Sequence, residues 1–326
     1  MSRNTENKLV TVIGGSGFLG HQIVRRLARD GYRIRVTTRK PSHALSLQPI
    51  GNVGQIALLK ADIRNEAELA RAVEGASVVI NLVGILTPSG GRSFDGIHHE
   101  GAASIARLAA KAGVGRLVHI SAIGADPKSN SSYAASKGEG EAAVREAFPR
   151  ATILRPSVVF GQGDGFFNRF AGLMRMSRVA FPLFGGGTSK FQPVFVGDVA
   201  DAVANAIADS RTQGRTYELG GPAIYTLKDV LELVAKTIER KRIWVPIPYF
   251  LLDLGAALTG WLPFAPVTLD QARLLRKDNV VKAGPDAASV GTLKDLGVQP
   301  TAVEAVLETY LYPYRPTGQY AEPRGA

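Results

Sequence analysis

The stretch Leu9-Val10-Thr11-Val12-Ile13-Gly14-Gly15-Ser16-Gly17-Phe18-Leu19-Gly20 constrains the fold more than any other part of the chain. Leu9–Ile13 is apolar and largely β-branched, which reads as a buried strand. A glycine turn follows at once, and then Phe18, Ile23, Val24 and Leu27 recur at helical spacing. Gly14, Gly17 and Gly20 stand in the G-x-x-G-x-x-G variant of the dinucleotide fingerprint. Each glycine answers a physical demand: a tight turn, a close backbone approach to a pyrophosphate, and close packing of helix on sheet. Ser16, Phe18 and Leu19 flank that approach, and the helix start offers its N–H groups to phosphate.

A chain of 326 residues has room for one large α/β domain with an appendage, or for two domains. It has no cysteine, so disulfides, thiolate metal sites and thiol catalysis are excluded; no metal site is expected. The net charge of +11 points to an acidic partner such as a nucleotide phosphate, an anionic membrane surface or an acidic protein. Nucleic acid is not expected, because the basic residues are scattered and no basic block or aromatic RNA-binding motif is present. The polar lead before Leu9 contains no apolar signal core.

Taken in order, Arg33–Thr38 is a second strand, and the residues just beyond its end bear on cofactor type. Sites for NAD place an acid there for the ribose 2′-hydroxyl, whereas sites for NADP place an arginine for the 2′-phosphate. Here Thr38 is followed by Arg39 and Lys40 with no acid, which favours NADPH or NADP+. A solvated loop cation is the alternative reading of Arg39. Strands are expected at 55–60, 77–83, 116–121, 151–154 and 216–219, with helices at 66–73, 95–112 and 197–208. That alternation demands a doubly wound parallel sheet. Asp62 and Ile63 close the third strand where adenine would lie, and Val83, Gly84 and Ile85 leave the fourth where backbone passes under a ribose.

Ser121 ends the fifth strand, and Tyr133 and Lys137 follow four residues apart, on one helix face. In that arrangement the ammonium lowers the phenol pKa and holds the nicotinamide ribose. The phenol then exchanges a proton with a carbonyl or alkoxide, which Ser121 also hydrogen-bonds. An exposed helix start is the alternative reading of a lone Y-x-x-x-K. Pro156 and Val159 would pass beside the nicotinamide.

The glycine triplet, Ser121, Tyr133/Lys137, the Arg155–Gly161 segment and the Val194–Ala200 segment together resemble the atypical, extended short-chain dehydrogenase/reductase family. Segments 81–86, 119–126, 164–170, 190–194 and 310–316 are, more narrowly, similar to the alpha-subcomplex subunit nine accessory subunits of respiratory complex I. That resemblance implies tightly held NADPH, docking on other complex I subunits near the membrane, and no established turnover. It places the chain at the cytoplasmic face of a bacterial inner membrane. His98 stands where many active reductases carry an asparagine, three residues before a glycine; it reads as a helix-surface histidine. The alternative function is a soluble NADPH-dependent reductase or sugar-nucleotide epimerase.

The expected organisation is a Rossmann domain over 1–165 and 193–222, a smaller interleaved lobe over 166–192 and 223–311, and an extended tail over 312–326. The phenylalanines after Asp164 read as core. The stretch Ile243–Val267 is strongly apolar but broken by Pro246, Pro248, Asp253, Pro263 and Pro266. Its unbroken length falls short of the roughly 20 residues a spanning helix needs. It either lines the smaller lobe or faces a membrane or partner. Tyr310, Tyr312 and Tyr314 favour attachment of the tail to a neighbour.

Overall fold

The computed structural model describes residues 8–177, 179–250, 269–282 and 290–318. By contact the chain divides into two units, one within 1–156, 196–219 and 282–299, the other within 157–195, 220–281 and 300–326.

The first unit is built on eight strands: β1 (Leu9–Ile13), β2 (Arg33–Thr38), β3 (Ile56–Lys60), β4 (Val78–Asn81), β5 (Arg116–Ile120), β6 (Thr152–Pro156), β7 (Thr216–Leu219) and β8 (Val290–Thr292). They form one sheet in the order β8-β7-β6-β5-β4-β1-β2-β3, with every pair parallel. This is the doubly wound Rossmann arrangement that the alternation of strands and helices demands. The order reverses between β1 and β4, so the crevice at their C-terminal ends is where such sheets take ligands.

Both sheet faces are covered by helices α1 (Phe18–Arg29), α2 (Glu66–Val73), α3 (Glu100–Lys111), α4 (Ser132–Ala147) and α5 (Val196–Ala208). α1 turns Ile23, Val24, Leu27 and Ala28 inward and packs on α5, while α3 packs on α2 and α4. Ile13, Val79 and Leu117 from the sheet meet Leu69, Ile105, Ala109 and Val144 from α2, α3 and α4 in a shared core. Asn65 caps α2 by accepting from the Glu68 N–H, and Ser131 caps α4 by accepting from Ala134.

Residues 157–165, 193–195 and 220–222, expected in the Rossmann domain, fall in the second unit, and two further features differ from expectation. Segment 282–299, expected in the smaller lobe, supplies β8, which pairs in parallel with β7 as the sheet's edge. The helix expected over 95–112 is instead a π-turn, Asp95–His99, leading into α3.

The second unit holds three short strand pairs. Val159–Phe160 runs parallel to Val194–Phe195, Lys190–Phe191 antiparallel to Tyr225–Thr226, and Ala180–Phe184 parallel to Ile243–Ile247. Helices Phe167–Met176, Leu227–Thr237 and Glu304–Leu311 close over a core of Phe160, Phe167, Phe181, Phe191, Leu231 and Leu307. The phenylalanines therefore pack against one another. Buried Asp164 accepts from the N–H groups of Gly161, Phe166, Phe167 and Asn168 and from the Tyr310 hydroxyl at 2.6 Å.

The tail begins differently from the extended arm expected. Tyr312–Tyr314 forms a 3-10 turn on this unit, Arg240 Nε donates to Tyr314 O, and Arg315 Nε donates to Thr237 O at 2.9 Å. Tyr310 is 7% exposed and Arg175 stacks on the Tyr314 ring. Two of the three tyrosines are thus engaged within the chain. Trp244 packs edge-on against Phe181, and the remainder of the apolar stretch, 251–267, lies outside the described residues, as does 319–326.

Because five donors converge on one buried carboxylate, we expect Asp164→Ala to cost about 2–4 kcal/mol in urea unfolding. A loss under about 1 kcal/mol would mean that those N–H groups find other partners.

Candidate functional site

At the turn after β1, Gly14 has φ +79° and packs so close to the chain after β4 that a Cβ would lie 2.9 Å from Val83 Cγ2. A Cβ on Gly20 would lie 2.3 Å from Gly15 O, so α1 seats directly on its own turn. Gly17 is different. It is exposed, and a Cβ there would meet only Gly14 O at an ordinary 3.7 Å. Nothing described in the chain requires glycine at 17, which is the N-cap of α1. α1 starts with no side-chain cap and no acid in its first turn, so its dipole is not offset there by a side chain. Phe18 and Leu19 are half-buried, and Ser16 Oγ donates to Thr38 Oγ1 at 3.1 Å, tying the turn to the end of β2.

Beyond β2 and β3, Arg39, Lys60, Asp62, Arg64, Asn65 and Glu68 line a hollow of about 340 Å³. Lys40 is exposed and is not among its lining residues. The Asp62 carboxylate, expected to face adenine, is held by Arg64, whose Nε and second guanidinium nitrogen donate at 3.0 and 2.8 Å. The Arg64 hydrogen bond, with Arg39 also nearby, pushes the Asp62 pKa down to about 2. Ile63 turns away from this hollow: it is 7% exposed and its side chain fills the space beside Gly101.

Ser121 follows β5, and Tyr133 and Lys137 lie four residues apart on α4. Lys137 Nζ is buried and donates to Ile120 O at 3.2 Å. Exposed Gly84 lies against it, since a Cβ there would be 3.3 Å from Nζ. Burial lowers the Lys137 pKa to about 8, against a partial pull upward from Glu141. The half-buried Tyr133 ring stands edge-on to Phe94 and to His98. Buried Ser121 lies near the Glu141 carboxylate, yet its Oγ makes no hydrogen bond of ordinary geometry among the described residues. Pro156 is buried at the end of β6, and half-buried Val159 belongs to the second unit, where it pairs with Val194.

Beneath these groups lies a run of buried charge. Arg155 on β6 donates from Nε and a terminal nitrogen to the two oxygens of Glu141 at 2.8 and 2.7 Å. Its other nitrogen lies 3.5 Å from Glu218 on β7. Arg145 adds a contact to Glu141 at 3.1 Å. Burial alone would raise the Glu141 pKa, but the Arg155 guanidinium holds it below the ordinary carboxylate value. Beside them His119 accepts from Asn81 Nδ2 at Nδ1, and burial and the Lys137 charge push its pKa down to about 3.

The reading of His98 as a surface residue is overturned. It is 1% exposed, turned inward by the π-turn, and bonded to Ile85 and Ser136. Sequence reasoning misses Glu141, His119 and Ser136 altogether. One signal points to them: Gly138 and Gly140 sit inside a helix, where glycine costs about 1 kcal/mol and implies a close approach. A Cβ on Gly140 would lie 2.0 Å from His98 O.

Residues 10–220 match the model of the NAD dependent epimerase/dehydratase family. The chain is 33% identical to the mitochondrial NADH-ubiquinone oxidoreductase 40 kDa subunit of Neurospora crassa, over 96% of this chain and 81% of that protein. It is 34% identical to NADH dehydrogenase [ubiquinone] 1 alpha subcomplex subunit 9 of Mus musculus, over 91% of this chain and 78% of the relative. The dTDP-glucose 4,6-dehydratase of Streptomyces venezuelae, solved with NAD bound, superposes with a TM-score of 0.70 at 20% identity, over 93% of this chain and 95% of that one. The chain belongs to the NAD dependent epimerase/dehydratase family, and its homologues include these subunits of NADH:ubiquinone oxidoreductase.

The Lys137 site has a pH signature. Between about 8 and the ordinary lysine value of 10.5, the unfolded chain holds a proton that the folded chain has lost. Stability should therefore rise with pH across that window, by up to roughly 3 kcal/mol relative to Lys137→Met. Urea unfolding without added nucleotide measures it; a difference that stays flat from pH 7.5 to 10.5 would reject the lowered pKa.

Proposed function

We propose that this protein is an NADPH-binding accessory subunit of membrane-bound NADH:ubiquinone oxidoreductase, in which the nucleotide stabilises the fold and does not turn over. The observation that carries this reading is the likeness to complex I subunits over more than nine-tenths of the chain. The residues fit the dinucleotide. Gly17 leaves room for a pyrophosphate at the start of α1, and the cationic side chains of Arg39, Lys60 and Arg64 border one hollow where a 2′-phosphate would sit. The exposed Gly84 beside the Lys137 ammonium suits a nicotinamide riboside. The reduced nicotinamide supplies a hydride wherever turnover occurs.

A ligand that binds only the native chain stabilises it by roughly 4 kcal/mol at a thousandfold excess over Kd. That is sufficient reason to keep the site without chemistry. We place it at the cytoplasmic face of a bacterial inner membrane, and exposed apolar side chains in the second unit suit contact with a membrane or a partner there. Met176, Val179, Ile243 and Phe250 are each more than half exposed, and Lys241 and Arg242 adjoin Ile243 in the chain. Among the described residues no helix is long and apolar enough to cross a membrane, which suits attachment through the complex. The second reading, a soluble NADPH-dependent reductase or epimerase, is favoured by one observation: Ser121, Tyr133 and Lys137 are all present. In that reading Tyr133 gives or takes the proton, Lys137 keeps its phenol acidic, and Ser121 holds the substrate oxygen.

Purification of the tagged protein from its own membranes in mild detergent separates the two. Co-purification with oxidoreductase subunits and about one NADPH per chain is expected; an unaccompanied protein with exchangeable nucleotide would favour the reductase. In the assembled complex Tyr133→Phe should leave respiration nearly unchanged, and its loss with assembly and NADPH content intact would reject a passive site. Arg39→Ala should weaken NADPH by about tenfold or more and NADH hardly at all, the size expected for one lost charge-assisted contact. Equal losses for the two nucleotides would overturn the 2′-phosphate assignment.

A further inference from the structure

His98 spends its whole hydrogen-bonding capacity on two neighbours. Its Nε2 accepts from the Ile85 N–H at 3.0 Å, and its Nδ1 lies 2.9 Å from Ser136 Oγ. The Ser136 hydroxyl donates in turn to Tyr133 O at 2.9 Å, so the proton between His98 and Ser136 belongs to Nδ1. The imidazole is therefore neutral, in one fixed tautomer, and burial together with the Lys137 charge keeps it so by lowering its pKa to about 3. Phe94 stacks on one face at 5.5 Å, and the Tyr133 ring meets it at 90°.

These contacts join two pieces of chain that are far apart in sequence. One is the strand-exit loop at Gly84 and Ile85; the other is the first turn of α4, which carries Tyr133. A Cβ at Gly84 would lie 3.3 Å from Lys137 Nζ and 3.6 Å from His98 Nε2, so this loop passes between the two side chains. A hydrophobic residue at 98 would fill the same volume but leave the Ile85 N–H and the Ser136 hydroxyl without these partners. The π-turn that brings His98 inward, and the contact of Gly140 on His98 O, fit a purpose beyond filling space.

We propose that His98 is a positioning residue for the nicotinamide riboside: through Ser136 it fixes the backbone at Tyr133, through Ile85 it fixes the loop at Gly84, and it so holds both sides of that seat. It touches neither reacting atoms nor phosphate. The proposal rests on the dinucleotide reading above and adds to it a residue acting on one end of the ligand alone.

The test is equilibrium binding of NADPH and of adenosine 2′,5′-bisphosphate, which carries only the adenine end, to the full-length chain. His98→Ala should lose about tenfold or more in NADPH affinity and keep its affinity for the bisphosphate. His98→Gln, whose side chain offers one acceptor and one donor, should recover most of the loss. Ser136→Ala, which cuts the link to Tyr133 but leaves the imidazole in place, should show the same selective loss and carries the test if His98→Ala fails to fold. Equal weakening of both ligands would mean that His98 acts through the fold as a whole, and the proposal would fall. Unchanged NADPH binding would also overturn it, as would His98→Gln binding no better than His98→Ala. A wild-type chain that binds neither ligand would remove the dinucleotide reading and the proposal with it, an outcome distinct from binding that ignores position 98.

Discussion

The Glu141 carboxylate is buried to 1% exposure and takes charge from three directions. Arg155 reaches it from β6 with two hydrogen bonds, Arg145 from one turn further along α4, and Lys137 acts on it through space from one turn before. Moving a carboxylate out of water costs several kcal/mol, and only paired geometry offsets that cost. Replacement of such a cluster by apolar residues is often neutral for stability, so stability alone does not account for it here. Its effect is on placement. With Glu141 clasped to β6, and Arg155 reaching on to Glu218 of β7, α4 cannot slide or rotate on the sheet without stranding a buried charge. Tyr133 and Lys137, two turns and one turn back along α4, inherit that fixed register.

Much of this architecture is legible in the sequence, for identifiable reasons. Strands buried on both faces leave continuous apolar runs, and crossover helices leave a 3.6-residue period, so β1 to β7 and α1, α2 and α5 fall close to their expected places. The glycine turn is legible because at Gly14 and Gly20 the close packing of the turn leaves no room for a side chain. Three things escape. β8 is three residues long and lies far along the chain, too short to show a period. The π-turn inserts one residue into the helical phase, a rotation of about 100°, so a helix drawn without it turns His98 out to solvent. The buried charges escape because pairing is a tertiary fact: Glu141, Arg155 and Glu218 meet only when β6, β7 and α4 are assembled. Of the candidate site, the residues on the glycine turn and at strand ends are legible, whereas the orientation of Ile63 and the arginine clasp on Asp62 are not.

Each end of the crevice is held by a different physics. Around the hollow beyond β2 and β3 the cations Arg39, Lys60 and Arg64 are exposed and their charge is screened by water. Beside the start of α4, Lys137, His119 and His98 are buried, where an unmatched charge is expensive. There the imidazoles stay neutral, while Lys137 carries a charge that burial opposes. A ligand hydroxyl on that ammonium would supply a partner where the chain itself gives one carbonyl.

This bears on how far an intact serine, tyrosine and lysine speak for turnover. The hydrogen bonds that hold a nicotinamide ribose are the same ones that keep a tyrosine acidic and near a substrate. A chain selected only to retain the nucleotide would keep Lys137 for the ribose and Tyr133 beside it. Turnover needs something more, a route by which the phenol exchanges its proton after each cycle. On the His98 side that route is closed within the chain. The imidazole has no free nitrogen, it stays neutral far below physiological pH, and the Ser136 hydroxyl between it and α4 gives its proton to a backbone carbonyl. Neither residue can carry a proton onward without breaking one of these hydrogen bonds.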